Sequence, residues 1–337
     1  MREVSARRLL GLVGRFPRAR ILVTGDFMLD QFIWGTVNRI SPEAPVPVVR
    51  MTTEEFRPGG AGNVVSNIRA LGSHAAACGV VGRDAAAREL LRVLRSTGVE
   101  VGGMIAASAV VTTRKTRIVA HQQQVVRVDR EVPGSLDGRI TERLVRYVLD
   151  NLDQHSGLIV SDYGKGAVSA RLLEALSERH ARDPFLWIVD PKRPNFARYR
   201  GASLVKPNIE EASVASGVEI TDLRSLCDAG SRLLEMWASE AILISRGEDG
   251  MSLFKRSGGA RHFPTAARQV YDVTGAGDTA VAACALALAA GATLEEAAVM
   301  ANIAAGVAVA RVGTAAVTAS ELREAIKRAC GDGICGA

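Results

Sequence analysis

Asp272-Val273-Thr274-Gly275-Ala276-Gly277-Asp278 runs without a break into residues 279–290, an alanine-rich stretch with the composition of a helix. Small residues at a helix start let unpaired N–H groups come close to an anion, and the helix dipole favours negative charge there. The turn is therefore shaped for phosphate. An acid inside it would repel a phosphate, so Asp278 makes chemical sense if it takes a proton from an attacking hydroxyl. A helix-stabilising N-terminal acid is the second reading, and the segment alone leaves both open. Gly275-x-Gly277 lacks the third glycine of the dinucleotide fingerprint, and the sequence contains no G-x-x-x-x-G-K-[ST], which argues against a Rossmann oxidoreductase and excludes a P-loop.

Upstream lie short apolar runs: Ile21-Leu22-Val23, Gly157-Leu158-Ile159-Val160, Leu186-Trp187-Ile188-Val189, Leu204-Val205 and Ala241-Ile242-Leu243-Ile244. Their near-continuous hydrophobicity suits strands of a parallel sheet buried on both faces. Most end in a polar or charged residue, namely Asp26, Asp162, Asp190, Lys206 and Ser245. Ligands of open α/β sheets bind off the carboxyl ends of strands, so these residues are expected to line one crevice. Between the runs, Asp84 opens a helix, and Thr293-x-x-Glu296 and Thr318-x-x-Glu321 are capping boxes opening the last two. Residues 31–51 and 110–129 break the alternation and read as β-strands of a small lid made from two insertions.

The 337 residues carry a formal charge of +6, with 47% hydrophobic and 23% charged residues, a globular composition that excludes disorder. Only six of the 42 basic residues are lysines, and no recognisable module or aromatic platform accompanies the charge, so a nucleic-acid binder is not indicated. The longest apolar run falls short of the ~20 residues of a membrane span, and no secretion signal is evident. Five cysteines without a C-x-x-C suggest reduced thiols and a cytoplasmic setting. The five histidines have no metal spacing.

A second glycine-rich entry to a helix, Gly59-Gly60-Ala61-Gly62-Asn63, stands about 210 positions before the first. The two segments together resemble the signatures of the ribokinase-like (PfkB) carbohydrate kinases. Gly25-Asp26-x-x-x-Asp30, Lys206-Pro207-Asn208-x-x-Glu211 and Ser245-Arg246-Gly247-Glu248-Asp249-Gly250 fit the same pattern, and the resemblance extends from about residue 20 to 330. It implies a three-layer α/β/α sandwich with a mostly parallel central sheet and a small β-strand lid, the whole chain forming one kinase domain. Further segments resemble one branch, whose members phosphorylate the anomeric oxygen of D-glycero-β-D-manno-heptose 7-phosphate on the route to ADP-heptose and lipopolysaccharide core. These are Arg39-Ile40-Ser41-Pro42-Glu43-Ala44-Pro45, His121-Gln122-Gln123, and Ser161-Asp162-Tyr163-Gly164-Lys165-Gly166. Many relatives carry a C-terminal nucleotidyltransferase; none is expected here, so the stand-alone kinase is the nearer likeness.

The resemblance implies roles residue by residue. Asp278 is the general base, and Gly275, Ala276 and Gly277 form an anion hole for the transferred phosphoryl group of ATP. Asn208 and Glu211 organise Mg²⁺ through water. Ser245, Gly247 and Gly250 contact nucleotide. Asn302 lies on the adenine side or packs between helices, a choice the sequence leaves open. On the sugar side stand Asp26, Asp30, Gly59, Gly60 and Asn63, with His121 reaching in from the lid. Cations for the sugar phosphate come from the lid (Arg114, Lys115, Arg117, Arg127) and from sheet ends (Lys165, Lys192), the last two favoured. The lid's strand edges suggest a homodimer. The alternatives are another kinase of the family, selective through its lid, or a non-catalytic sugar-phosphate or nucleotide binder on the same fold.

Overall fold

The computed structural model describes residues 4–121, 123–132, 136–267, 269–311 and 316–331. The main sheet is built from β1 (Arg20–Gly25), β4 (His74–Gly82), β5 (Glu100–Ala107), β8 (Gly157–Ser161), β9 (Trp187–Asp190), β10 (Leu204–Val205), β11 (Ala241–Ser245), β12 (Met251–Lys255) and β13 (Ala260–Phe263). Its order is β13-β12-β11-β10-β9-β8-β1-β4-β5, parallel except where β12 and β13 reverse at one edge. Register aligns the strand ends: Gly25 pairs with Ser161, and Ser161 with Asp190. Asp26, Asp162, Asp190, Lys206 and Ser245 thus share one rim, as the polar strand ends predicted.

Alternate residues of each strand feed two cores. Ile21, Val23, Ile159 and Leu243 pack beneath α1 (Ala6–Val13), α2 (Ala61–Ala70), α3 (Ala85–Ser96), α8 (Ala276–Ala289), α9 (Leu294–Ala308) and α10 (Ala319–Gly331). Leu22, Leu158, Val160 and Ile242 pack beneath α4 (Gly138–Asn151), α5 (Ala170–Arg182), α6 (Ile209–Ser216) and α7 (Leu223–Trp237). This is the expected three-layer sandwich. Asp84 caps α3, and the Thr293 and Thr318 boxes form as read. Four main-sheet strands, β4, β5, β12 and β13, had no counterpart among the runs singled out in the sequence.

The lid is a second sheet of β2 (Phe27–Ile40), β3 (Pro47–Gly60), β6 (Arg114–Ala120) and β7 (Gln123–Arg130), in the order β3-β2-β6-β7. It exceeds the expected 31–51 and 110–129: β2 leaves β1 almost at once, and β3 runs to Gly60, so Arg57 and Pro58 lie in a strand. The inner pair β2 and β6 is parallel, whereas both outer pairings are antiparallel. Cys78, Cys227 and Cys284 are free thiols, but Cys330 is disulfide-bonded, contrary to a fully reduced set. Gln122, part of the His121-Gln122-Gln123 segment, lies outside the described residues.

Candidate active site

Asp278 stands in the first turn of α8 and is 5% exposed. Both carboxylate oxygens are engaged: Asn63 Nδ2 donates to one and the Tyr163 hydroxyl to the other, each at 2.7 Å. Asn63 is itself held by Asn67, whose Nδ2 donates to the Asn63 carbonyl while its Oδ1 accepts from the Thr279 hydroxyl, both at 3.0 Å. The starts of α2 and α8, the two glycine-rich entries, are thereby clamped side by side. Burial, then the charge of Asp190, pushes the Asp278 carboxyl up to about 7, against the opposing pull of Tyr163, Asn63 and Lys206. A carboxylate poised near neutrality suits a general base.

Gly275 caps α8 in the left-handed region (φ 81°), a turn that a side chain would strain. Ala276 N–H turns back to the Val273 carbonyl at 3.3 Å. Beneath the turn lies a cation not assigned from sequence: Lys206, 3% exposed, paired with Asp190 at 2.9 Å. A Cβ placed on Gly277 would come within 3.6 Å of its Nζ. Burial works against the Lys206 charge, but the neighbouring acids Asp190, Glu211 and Asp278 together outweigh it and hold the pKa above the ordinary value. Helix N–H groups thus point a positive field at the space beside Asp278, with the Lys206–Asp190 ion pair beneath the turn.

On the sugar side, Asp30 is buried and accepts from Arg117 Nη1 at 2.6 Å. Gly59 makes the approach possible, since a Cβ there would lie 2.4 Å from Asp30 Oδ2. Asp26 has a different part from the one expected. Its oxygens accept the main-chain N–H groups of Tyr163 (2.8 Å), Lys165 (3.0 Å) and Ala167 (2.9 Å), so it anchors the loop that carries Tyr163 to the base. A neighbouring buried set secures the same loop, with Asp162 accepting from Asn195, Tyr199 and Gly164 N–H.

On the opposite side, Asn208 caps α6 and closes a capping box with Glu211. Ser245 bridges to Asn208, and Gly247 and Gly250 form the turn after β11. Asn302 is buried and donates to the Pro264 carbonyl at 2.6 Å, which fixes the 264–267 segment. Clefts of about 600 Å³ and about 410 Å³ flank that segment. No group of three or more metal-ligating side chains occurs among the described residues. Asn208 and Glu211 by themselves form no cage, since Asn208 Oδ1 accepts the Glu211 N–H and Glu211 accepts the Asn208 N–H and the Lys192 ammonium; hard oxygens of this kind are what a hydrated Mg²⁺ takes.

Asp278, the Gly275–Gly277 turn, Asn63, Asp30, Gly59 and Gly60 lie together. Of the expected phosphate cations, Lys115, Arg117 and Arg127 share one face of the lid, and the others do not join them. Lys192 pairs with Glu211 at 2.7 Å on the nucleotide side, away from the sugar acids. Lys165 pairs with Glu131 at 2.7 Å beside a small cavity behind Asp26. Arg127 lies on the outer strand β7 with Asp129 at 2.9 Å, and strand alternation turns Arg114 to the reverse face of the lid from Lys115 and Arg117. His121 hydrogen-bonds the Val37 main chain at the distal end of the lid and does not reach Asp30. Sequence reasoning also missed Tyr163 as a partner of the base; it was quoted only as part of a motif.

A model described as pfkB family carbohydrate kinase matches residues 18–321. The chain is 46% identical over 301 residues to bifunctional protein HldE of Geobacter sulfurreducens, covering 89% of this chain and 61% of that one. It is 44% identical over 319 residues to the protein of that name from Citrifermentans bemidjiense, covering 95% and 66%. It thus spans less than two thirds of these relatives' length. Among solved structures, phosphofructokinase-2 from Escherichia coli superposes with a TM-score of 0.76 at 24% identity, covering 92% of this chain and 99% of that one. Arabidopsis thaliana ribokinase complexed with ribose and ATP gives 0.70 at 18%, with the same coverage. At such identities these neighbours speak for the fold alone.

Proposed function

The chain belongs to the pfkB carbohydrate kinase family, and we propose that within it the enzyme transfers the γ-phosphoryl group of ATP to the anomeric oxygen of D-glycero-β-D-manno-heptose 7-phosphate. The observation that carries the chemistry is the buried carboxylate of Asp278, clamped by Asn63 and Tyr163 at the mouth of a helix N-terminus. The substrate reading rests on the branch motifs in β2, the lid and the Asp162–Gly166 loop.

In this mechanism the sugar hydroxyl enters between Asp30 and Asp278 and gives its proton to the Asp278 carboxylate. The oxygen then bonds to the γ-phosphorus as the bond to the ADP oxygen breaks. Charge on the moving phosphoryl group meets the N–H groups of the Gly275–Gly277 turn, the positioning and electrostatic help that phosphoryl transfer needs. Asn208 and Glu211 would hold the hydration shell of Mg²⁺, whose part when bound is to neutralise phosphate charge. Ser245, Gly247, Gly250 and Asn302 would border the nucleotide. Use of ATP argues for a cytosolic reaction, in ADP-heptose formation. The lid's free edges support a homodimer joined there.

The test is to supply Mg-ATP with heptose, hexose and pentose phosphates and the free sugars, then locate the new phosphate by phosphorus NMR. A heptose 1,7-bisphosphate is expected. Preference for fructose 6-phosphate or free ribose would overturn the substrate and leave the kinase; ligand binding without transfer to any sugar would favour a binder.

A further inference from the structure

Arg117 stands among the lid cations expected from sequence, but Arg57 does not, and strand register gathers the two around one aromatic ring. Asp30, Phe32 and Trp34 alternate along β2 and so share a face. Directly paired residues show their side chains on the same face. Asp30 faces Arg57 and Lys115 across its two neighbours, and Phe32 faces Glu55 and Arg117. Because Asp30 lies on the active-site side, the whole row does. The guanidinium of Arg57 stands 5.1 Å from the centre of the Phe32 ring and that of Arg117 stands 5.2 Å from it, arriving from strands on opposite sides of β2.

We propose that Arg57 and Arg117, stacked on Phe32, form the subsite for the remote phosphate of the sugar substrate. This rests on the reading of a phosphorylated sugar as acceptor. The geometry supplies a ruler: the reacting hydroxyl lies at Asp278, a nearer hydroxyl at Asp30, and each two-residue step along β2 advances about 6–7 Å outward. One step past Asp30 is the Phe32 row, where the far end of an extended sugar chain arrives. Guanidinium forks suit a phosphate dianion better than a point charge does. Stacking on the ring pre-orders them. Without ligand the cations rest on acids, Arg57 on Glu55 at 2.7 Å and Arg117 on Asp30 at 2.6 Å. Glu55 is half exposed and free to swing into water when a phosphate takes its place. Lys165, a single ammonium paired with Glu131, and Lys192, tied to Glu211, are poorer candidates.

The experiment compares wild type, Arg57→Gln, Arg57→Lys and Lys165→Gln in two measurements. The first is kcat/KM for heptose 7-phosphate divided by that for the same heptose without phosphate. The second is binding of phosphorylated and free sugars, heptose and hexose alike, read by the fluorescence of Trp34, which stacks on Phe32 at 6.2 Å, with Trp34→Phe as blank. Arg57→Gln is expected to lower the preference for the phosphorylated sugar about tenfold or more while KM for ATP stays put, and Arg57→Lys to recover part of it. A preference unchanged in Arg57→Gln, or lost instead in Lys165→Gln, overturns the subsite alone. A preference that depends on Arg57 but favours a hexose phosphate upholds the subsite and overturns the heptose. No gain from any phosphate overturns both.

Discussion

Exchanging Asp278 for Asn removes the proton acceptor and nearly preserves the shape of the site. Turnover is expected to fall about 10²–10⁴-fold, with ATP affinity within a few fold; normal turnover would refute the assignment. Stability should move the other way. Burial raises the folded-state pKa to about 7 from an ordinary 3.8, so the folded protein binds this proton more tightly than the unfolded chain. The ionised carboxylate therefore costs stability, a cost absent below about pH 4, growing as pH rises and complete above about pH 7. Asp278→Asn should melt higher than wild type at pH 8, and the gap should narrow markedly at pH 5, as checked by thermal denaturation at both values. Tyr163→Phe tests the second oxygen. The Tyr163 hydrogen bond holds the pKa of Asp278 down, so its loss should move the acid limb of the kcat/KM profile to higher pH, whereas a merely structural role would lower the plateau and leave the limb in place. Asp278 was legible because an acid in a phosphate-shaped turn is chemically odd. Tyr163 was not, because a tyrosine after a strand has no pattern that says where its hydroxyl goes.

Strands and helices were legible in proportion to how plainly their residues announce them. The capping boxes at Thr293 and Thr318 and the valine- and isoleucine-rich strands formed as read. β4 did not stand out, because His74-Ala75-Ala76-Ala77-Cys78 lacks the bulky branched residues that mark a strand, and only burial between β1 and β5 makes it one. Which face Arg114 and Arg117 present was hidden for a related reason: it depends on register, and register is set by partners far away in sequence. The α6 cap carries a prediction of its own. Glu211 accepts the Asn208 N–H at 3.0 Å and also holds Lys192. Glu211→Gln can keep the first contact but loses the charge, so KM for Mg-ATP should rise about tenfold while KM for the sugar stays near wild type. A rise confined to the sugar would move Glu211 out of the nucleotide half of the site.

As a whole molecule, the kinase core covers both faces of its sheet with helices, but the lid has only strands to offer. β3 and β7 are its edges. Val126 (45% exposed) and Val128 (54%) sit on β7, and Ile40 and Met51 are more exposed still. Val128 pairs with Thr116, whose hydroxyl donates to Gln31 on the reverse side of the sheet from Asp30. Apolar residues beside an unpaired strand edge favour a second lid over water. The paired lids would also brace the arginines that face the sugar, coupling assembly to substrate affinity. Sedimentation equilibrium at micromolar concentration should therefore give a dimer. Val128→Glu places a charge in the contact without touching the site-facing row, and should weaken association about tenfold or more, with circular dichroism unchanged and KM for the sugar raised in step with the monomer fraction. A wild-type monomer at that concentration, or a Val128→Glu protein that dimerises as tightly as wild type, would refute lid-to-lid pairing.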